Sequence, residues 1–96
     1  ILVDPSRHAV APSPVENRWD PSIKHRALTT EEVETYVKKC AASAFIAQQA
    51  GFDGVEIHAV HEGYLLDQFA MALFNQRTDR YGGNLEGRLR FAVEIV

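Results

Sequence analysis

Cysteine is almost missing from this chain: Cys40 stands alone among 96 residues. One thiol cannot close an internal disulfide, so nothing calls for an oxidising compartment, and a reduced, cytoplasmic setting is the expectation. Cys40 falls on the apolar side of a predicted helix, where free cysteines usually pack as small hydrophobes. Basic charge is also in short supply. Ten Lys and Arg are scattered among thirteen Asp and Glu, for a net charge of −3, which leaves no basic stripe to neutralise a phosphate backbone and argues against a nucleic-acid partner. No apolar run approaches the roughly 18 to 20 residues of a spanning helix, and no signal-type order of charged, apolar and small residues opens the chain, so no membrane partner is expected. Proline is confined to the start: Pro5, Pro12, Pro14 and Pro21 all precede residue 27. Their neighbours are Ser, Asn, Asp and Arg, so residues 1–26 read as a long irregular connection. Such connections are uncommon unless functional. His8, Trp19 and His25 lie in it without a partner at ligand spacing, and are read as loop-packing or solvent-facing.

Beyond residue 27 the pattern is more regular. In "LTTEEVETYVKKCAASAFIAQQAG" Thr29 and Glu32 have the spacing of a capping box, and Leu28 and Val33 that of a hydrophobic staple. Val33, Tyr36, Val37, Cys40, Ala41, Ala44 and Ala47 or Gln48 recur at three and four, which defines one helix face to be buried. Gly51 is placed to end the helix with a positive φ. "DGVEIHAV" then reads as a short strand covered on both faces. Helix, tight glycine turn, buried strand, loop and a further helix make a βα-type repeat, hence an α/β fold with a parallel sheet and helices outside it.

The carboxyl end of that strand is where ligands sit in open α/β sheets and in (β/α)8 barrels. In "VEIHAVHEGYLLDQF" that end holds His58, His61, Glu62 and Tyr64. Two neutral imidazoles converging on one oxygen would stabilise negative charge developing on a carbonyl. Tyr64 could supply a proton as general acid. Two further readings stay open on these residues alone. In the first, His58 sits in the core with a satisfied ring, His61 caps a turn and Tyr64 packs by its ring. In the second, His58 and His61, with Glu56 or Glu62, bind a metal as in a hydrolase barrel. Residues three apart on a strand face opposite sides, so both rings reach one ion only if the chain turns at Ala59 or Val60. The helical zinc motif places its histidines four apart instead.

"AGFDGVEIHAVHEGYLLDQF" followed by "FNQRTDRYGGNLEGRLRF" resembles the Old Yellow Enzyme family of flavin oxidoreductases. There a strand ending in His-x-x-His or His-x-x-Asn leads to a Tyr-Leu pair and then to Asn-x-Arg-x-Asp-x-Tyr-Gly-Gly-Ser-x-Glu-Asn-Arg-x-Arg-Phe. The second motif appears here as Asn75, Arg77, Asp79, Tyr81, Gly82, Gly83, Asn84, Glu86, Gly87, Arg88, Arg90 and Phe91. The likeness covers residues 28–96 well, and "APSP" at 11–14 is similar to the segment after barrel strand three. It implies that residues 1–96 are part of an FMN-binding TIM-barrel oxidoreductase domain, cut at both ends: about helix three, strand four and the start of helix four. The opening on Ile1 and the unstopped helix pattern "RFAVEIV" agree with a cut stretch, expected to be inactive alone.

The implied activity is reduction of an activated C=C bond, in an enone or an enoyl thioester, by FMN with NADH or NADPH as reductant; the partner is a small-molecule alkene. His58 and His61 would hold the substrate's carbonyl oxygen and Tyr64 would protonate the α carbon, while the residues gripping the FMN phosphate lie outside these motifs. Many members read His-x-x-His-Gly-Tyr; here Glu62 separates His61 from Gly63. That form is similar to the branch of enoate, 2,4-dienoyl-CoA and bile-acid enone reductases, many of which add a 4Fe-4S iron-sulfur cluster and a second flavin, FAD, in further domains. A homo-oligomer is compatible with the resemblance, and so is a noncatalytic barrel relic. Arg77, Asp79, Arg88 and Arg90 read as charged ties between loop and barrel, and Gly82 and Gly83 as a turn. Asn84 reads as an N-cap, and Gly87 in the first turn as a cost of up to about 1 kcal/mol relative to Ala.

Overall fold

The computed structural model describes residues 9–17, 20–59, 61 and 63–96; the expectations for His8, Trp19, Val60 and Glu62 lie outside them. Two short strands, β1 (Val10–Ala11) and β2 (Arg26–Ala27), precede three helices, α1 (Thr30–Gln49), α2 (Leu65–Ala70) and α3 (Leu85–Ile95). The strands pair in parallel, Val10 with Arg26 and Ala11 with Ala27. Between them an antiparallel bridge joins Glu16 to Lys24, and Asp20 closes the turn by accepting from the Ser22 hydroxyl and N–H. The described part of the proline-rich connection, residues 9–17 and 20–26, is therefore tied by pairing and turn contacts that its composition does not suggest.

α1 starts as its local chemistry dictates. The Thr29 hydroxyl accepts from the Glu32 amide, and the Glu32 carboxylate accepts from the Thr29 amide at 2.8 Å. Arg26 grips the same carboxylate at 2.7 and 2.9 Å; its hydrogen bonds, with that of the Thr29 amide, hold Glu32 down at about 2. At the other end the Phe52 amide reaches the Ala47 carbonyl and the Gly51 amide that of Gln48, with Gly51 at φ 90°. This is a Schellman ending, and the positive φ is what requires glycine there.

The core joins the start of α1 to α2, α3 and the loop between them. Leu28, Val33, Phe69, Tyr81 and Phe91 are buried together, with Val10, Val37, Leu65, Leu66 and Ile95 packed around them. Phe69 meets Phe91 edge-on at 4.8 Å, a favoured aromatic geometry. Leu28 and Val33 thus do form the staple. The rest of the predicted α1 face departs from expectation: Val37, Cys40, Ala44 and Ala47 are half-buried, while Tyr36, Ala41 and Gln48 are exposed. The covered strand expected over 53–60 also departs, because residues 52–59 join no ladder and Phe52 and Val55 are 68% and 53% exposed. A strand exists only through the neighbours that take its N–H and C=O groups, and none of the described segments lies beside this one.

The 75–91 stretch is held by polar ties. The Asn75 amide donates to the carbonyls of Phe69 and Tyr81 at 2.7 and 2.8 Å. Arg77 donates to the backbone carbonyls of Pro12 and Leu28 and pairs with Asp79. Asp79 also accepts from the Thr30 hydroxyl at 2.5 Å. Arg88 reaches Ala70 and Gly83 carbonyls, and Arg90 the Arg80 carbonyl, so all four residues read as ties serve as ties.

The Arg77 hydrogen bonds hold the Asp79 carboxyl at about 2, against the opposing effect of burial and with help from Thr30 and the Tyr81 amide. A carboxyl lowered in the folded state binds its proton more readily when unfolded. Its stabilisation is therefore complete above about pH 4 and is lost as pH falls towards 2. We expect Asp79→Asn to remove about 1–2 kcal/mol of stability at neutral pH and to flatten the acid limb of unfolding midpoints measured between pH 5 and 2. An acid limb as steep as the parent's would exclude this assignment.

Candidate active site

The turn between residue 58 and α2 is built from the backbone outward. The Tyr64 amide donates to the His61 carbonyl at 3.2 Å, and Gly63 sits at φ 87°, a conformation few side chains tolerate. Buried Asp67 accepts from the amides of His61 and Gly63 through one oxygen, at 2.7 and 2.9 Å. Gln68 donates to the Gly63 carbonyl at 2.5 Å. The first turn of α2 thereby fixes both polar groups of Gly63.

This turn brings together all three sequence-predicted residues. Ring centroids lie 5.3 Å apart for His58 and His61, 5.6 Å for His58 and Tyr64, and 5.6 Å for His61 and Tyr64, with the last pair stacked. The opposite-face geometry of an extended strand is thus absent. All three residues are exposed in this stretch of the barrel, and His58 is not among the residues of its buried cluster. Among the described residues none hydrogen-bonds to their ring nitrogens or hydroxyl. Among the described residues no group of three His, Cys, Asp or Glu is placed to hold a metal ion, and Glu56 is exposed. His25 does not join the cluster. It is half-buried, within 3.3 Å of the Asn17 amide, and it lines with Tyr64 and Gln68 a groove of about 1010 Å³ beside α2.

Sequence reasoning missed Asp67 and Gln68. Their signal was faint: an acidic residue in the first turn of a helix only six residues long, too short to show periodicity.

Three proton-handling rings thus lie side by side on the loop before α2. The chain belongs to the NADH:flavin oxidoreductase / NADH oxidase family, whose pattern matches residues 3–96. It is 67% identical to cinnamate reductase of Clostridium sporogenes over 88 residues, covering 92% of this chain and 13% of that one. It is 52% identical to 12-oxophytodienoate reductase 1 of Oryza sativa subsp. japonica over 73 residues, covering 76% of this chain and 19% of that one. The structure superposes on morphinone reductase in complex with tetrahydroNAD with a TM-score of 0.86 at 34% identity, covering 96% of this chain and 29% of that one. On 2-naphthoyl-CoA reductase the TM-score is 0.85 at 35% identity, covering 92% and 13%.

The fold is a part of an α/β barrel. The chain spans less than a third of these relatives, which accounts for the unpaired 52–59 segment: a barrel strand draws its ladder from neighbours contributed by other parts of the barrel. No helix among the described residues is long and apolar enough to cross a membrane.

Proposed function

We propose that the protein carrying this stretch is an FMN-dependent reductase of activated C=C bonds, using NADH or NADPH, with His58, His61 and Tyr64 at its substrate site. The observation that carries the reading is the three-ring cluster, with rings 5.3 to 5.6 Å apart. Relatives named as reductases of cinnamate and of 12-oxophytodienoate support it. The donor set fits a flavin site, since two imidazoles and a phenol can hold an electron-rich oxygen without any metal ligand geometry. FMN, when bound, supplies the hydride that the β carbon of the alkene accepts.

His58 and His61 donate hydrogen bonds to the carbonyl oxygen, on which negative charge gathers as the β carbon is reduced. Tyr64 gives its proton to the α carbon, so one hydride and one proton saturate the double bond. The residues that grip the FMN phosphate belong to other strands of the barrel. The substrate is an enone, an enoate or an enoyl thioester. Because similar aligned lengths cover only 13% of cinnamate reductase and 2-naphthoyl-CoA reductase but 19% or more of the other two, the former are the longer chains. The 67% identity to one of these longer chains favours a parent protein with room for FAD and a 4Fe-4S cluster.

The test is the visible spectrum of the purified full-length protein, before and after anaerobic NADH or NADPH. Flavin bands that bleach are expected, with an added broad brown absorbance if the cluster is present. A colourless protein that takes up no FMN would overturn the reading and leave a barrel relic or a metal-dependent hydrolase to be separated by metal analysis.

A further inference from the structure

Asp67 is a buried carboxylate, 8% exposed, with no cationic side chain paired to it among the described residues. Its charge is met by two backbone amides, and it lies in the first turn of α2, where the helix dipole favours an anion. A carboxylate at this helical position commonly reaches back to the amide of the N-cap residue. Here the N-cap is Tyr64, whose amide goes to the His61 carbonyl instead. The Asp67 oxygen passes over it and takes the amides of His61 and Gly63. Its hydrogen bonds therefore serve the loop that carries the rings, and leave the helix end uncapped by any side chain.

We propose that Asp67 is a positioning residue for the ring cluster, acting through the backbone to set where His61 and Tyr64 stand relative to His58. One oxygen holds the amides of His61 and Gly63 together, 2.7 and 2.9 Å away, which ties the two described ends of this step to a single point. Tyr64 comes directly after, and its ring stacks on His61. Without that oxygen two amides lose their partner and the turn relaxes, which moves a proton donor and a hydrogen-bond donor together. A displacement of this kind reduces catalysis far more than it reduces flavin binding, because reacting groups tolerate little misplacement. The inference rests on the substrate-site reading above.

The test uses the flavin-loaded, full-length protein and three variants. Asp67→Ala is expected to weaken 4-chlorophenol binding and to lower alkene turnover by about tenfold or more, with flavin bleaching by NAD(P)H retained. Asp67→Asn keeps an acceptor oxygen for both amides, and its phenol affinity and turnover should return to within about threefold of the parent. Asp67→Glu keeps the charge but displaces the oxygen by one methylene, and should resemble Asp67→Ala; it carries the test should the alanine variant fail to fold.

If Asp67→Ala or Asp67→Glu lowers only the thermal midpoint while phenol affinity and turnover stay at parental values, Asp67 is structural and the proposal is wrong. The His58→Ala/His61→Ala double variant separates the two ideas. Parental phenol binding in that variant sinks the substrate-site reading itself, whereas weakened binding there with parental Asp67 variants sinks the positioning role alone.

Discussion

Replacing His58 and His61 together by alanine in the full-length protein should slow alkene reduction by at least about 100-fold, since a single donor to a developing oxyanion is commonly worth that much. Phenolic ligands, which present an anionic oxygen like that of the reduced intermediate state, should bind correspondingly more weakly. Bleaching of the flavin by NAD(P)H should persist, since the hydrogen bonds proposed for the two rings go to the oxygen of the alkene substrate. Neither ring belongs to the buried cluster of the described residues, and the thermal midpoint measured beside the parent's separates a folding defect from a kinetic one. Tyr64→Phe is the natural companion. It removes one hydroxyl from a ring that is 53% exposed and should slow the oxidative half-reaction while sparing the reductive one. A double histidine variant with parental turnover would end the oxyanion reading, and a Tyr64→Phe variant slowed only in its reduction by NAD(P)H would end the acid assignment.

Legibility in the sequence tracked how local the determining interaction was. The α1 boundaries were readable because Thr29, Glu32 and Gly51 act within one turn, and the Asn84 cap of α3 for the same reason, its side chain accepting from the Gly87 amide. The ring cluster was visible as three residue types, though not as geometry: Gly63 at positive φ and the Asp67 contacts to the His61 and Gly63 amides lie beside it, the latter from three residues into the next element. Parallel pairing of Val10 with Arg26 was not legible, since two-residue strands carry no periodicity. Nor was the state of residues 52–59. Their sequence states a preference for a covered strand, but a ladder needs a second segment, and propensity describes only the first.

Gly87 is where local reasoning reverses sign. From helix propensity alone, Gly87→Ala in the first turn of α3 should stabilise the protein by up to about 1 kcal/mol. The structure predicts the opposite. Gly87 is buried, and a Cβ there would overlap the carbonyl oxygen of Gly82; a Cβ on Gly82 would in turn overlap the carbonyl of Arg77. Three backbone layers are thus stacked without side chains between them, and the Arg77 end of the stack is fixed by the Pro12, Leu28 and Asp79 ties. The obstructing atoms are backbone, so no rotamer change relieves the contact, and either α3 or the 77–82 loop must move. The overpacking should cost about 1–3 kcal/mol, lowering the thermal midpoint of the full-length protein. Because α3 carries Phe91 against Phe69 of α2, the same displacement should reach the element that bears Asp67, and phenol affinity should fall with the midpoint. A Gly87→Ala protein that melts at or above the parental temperature would show that the loop yields freely, and that propensity alone governs this helix start.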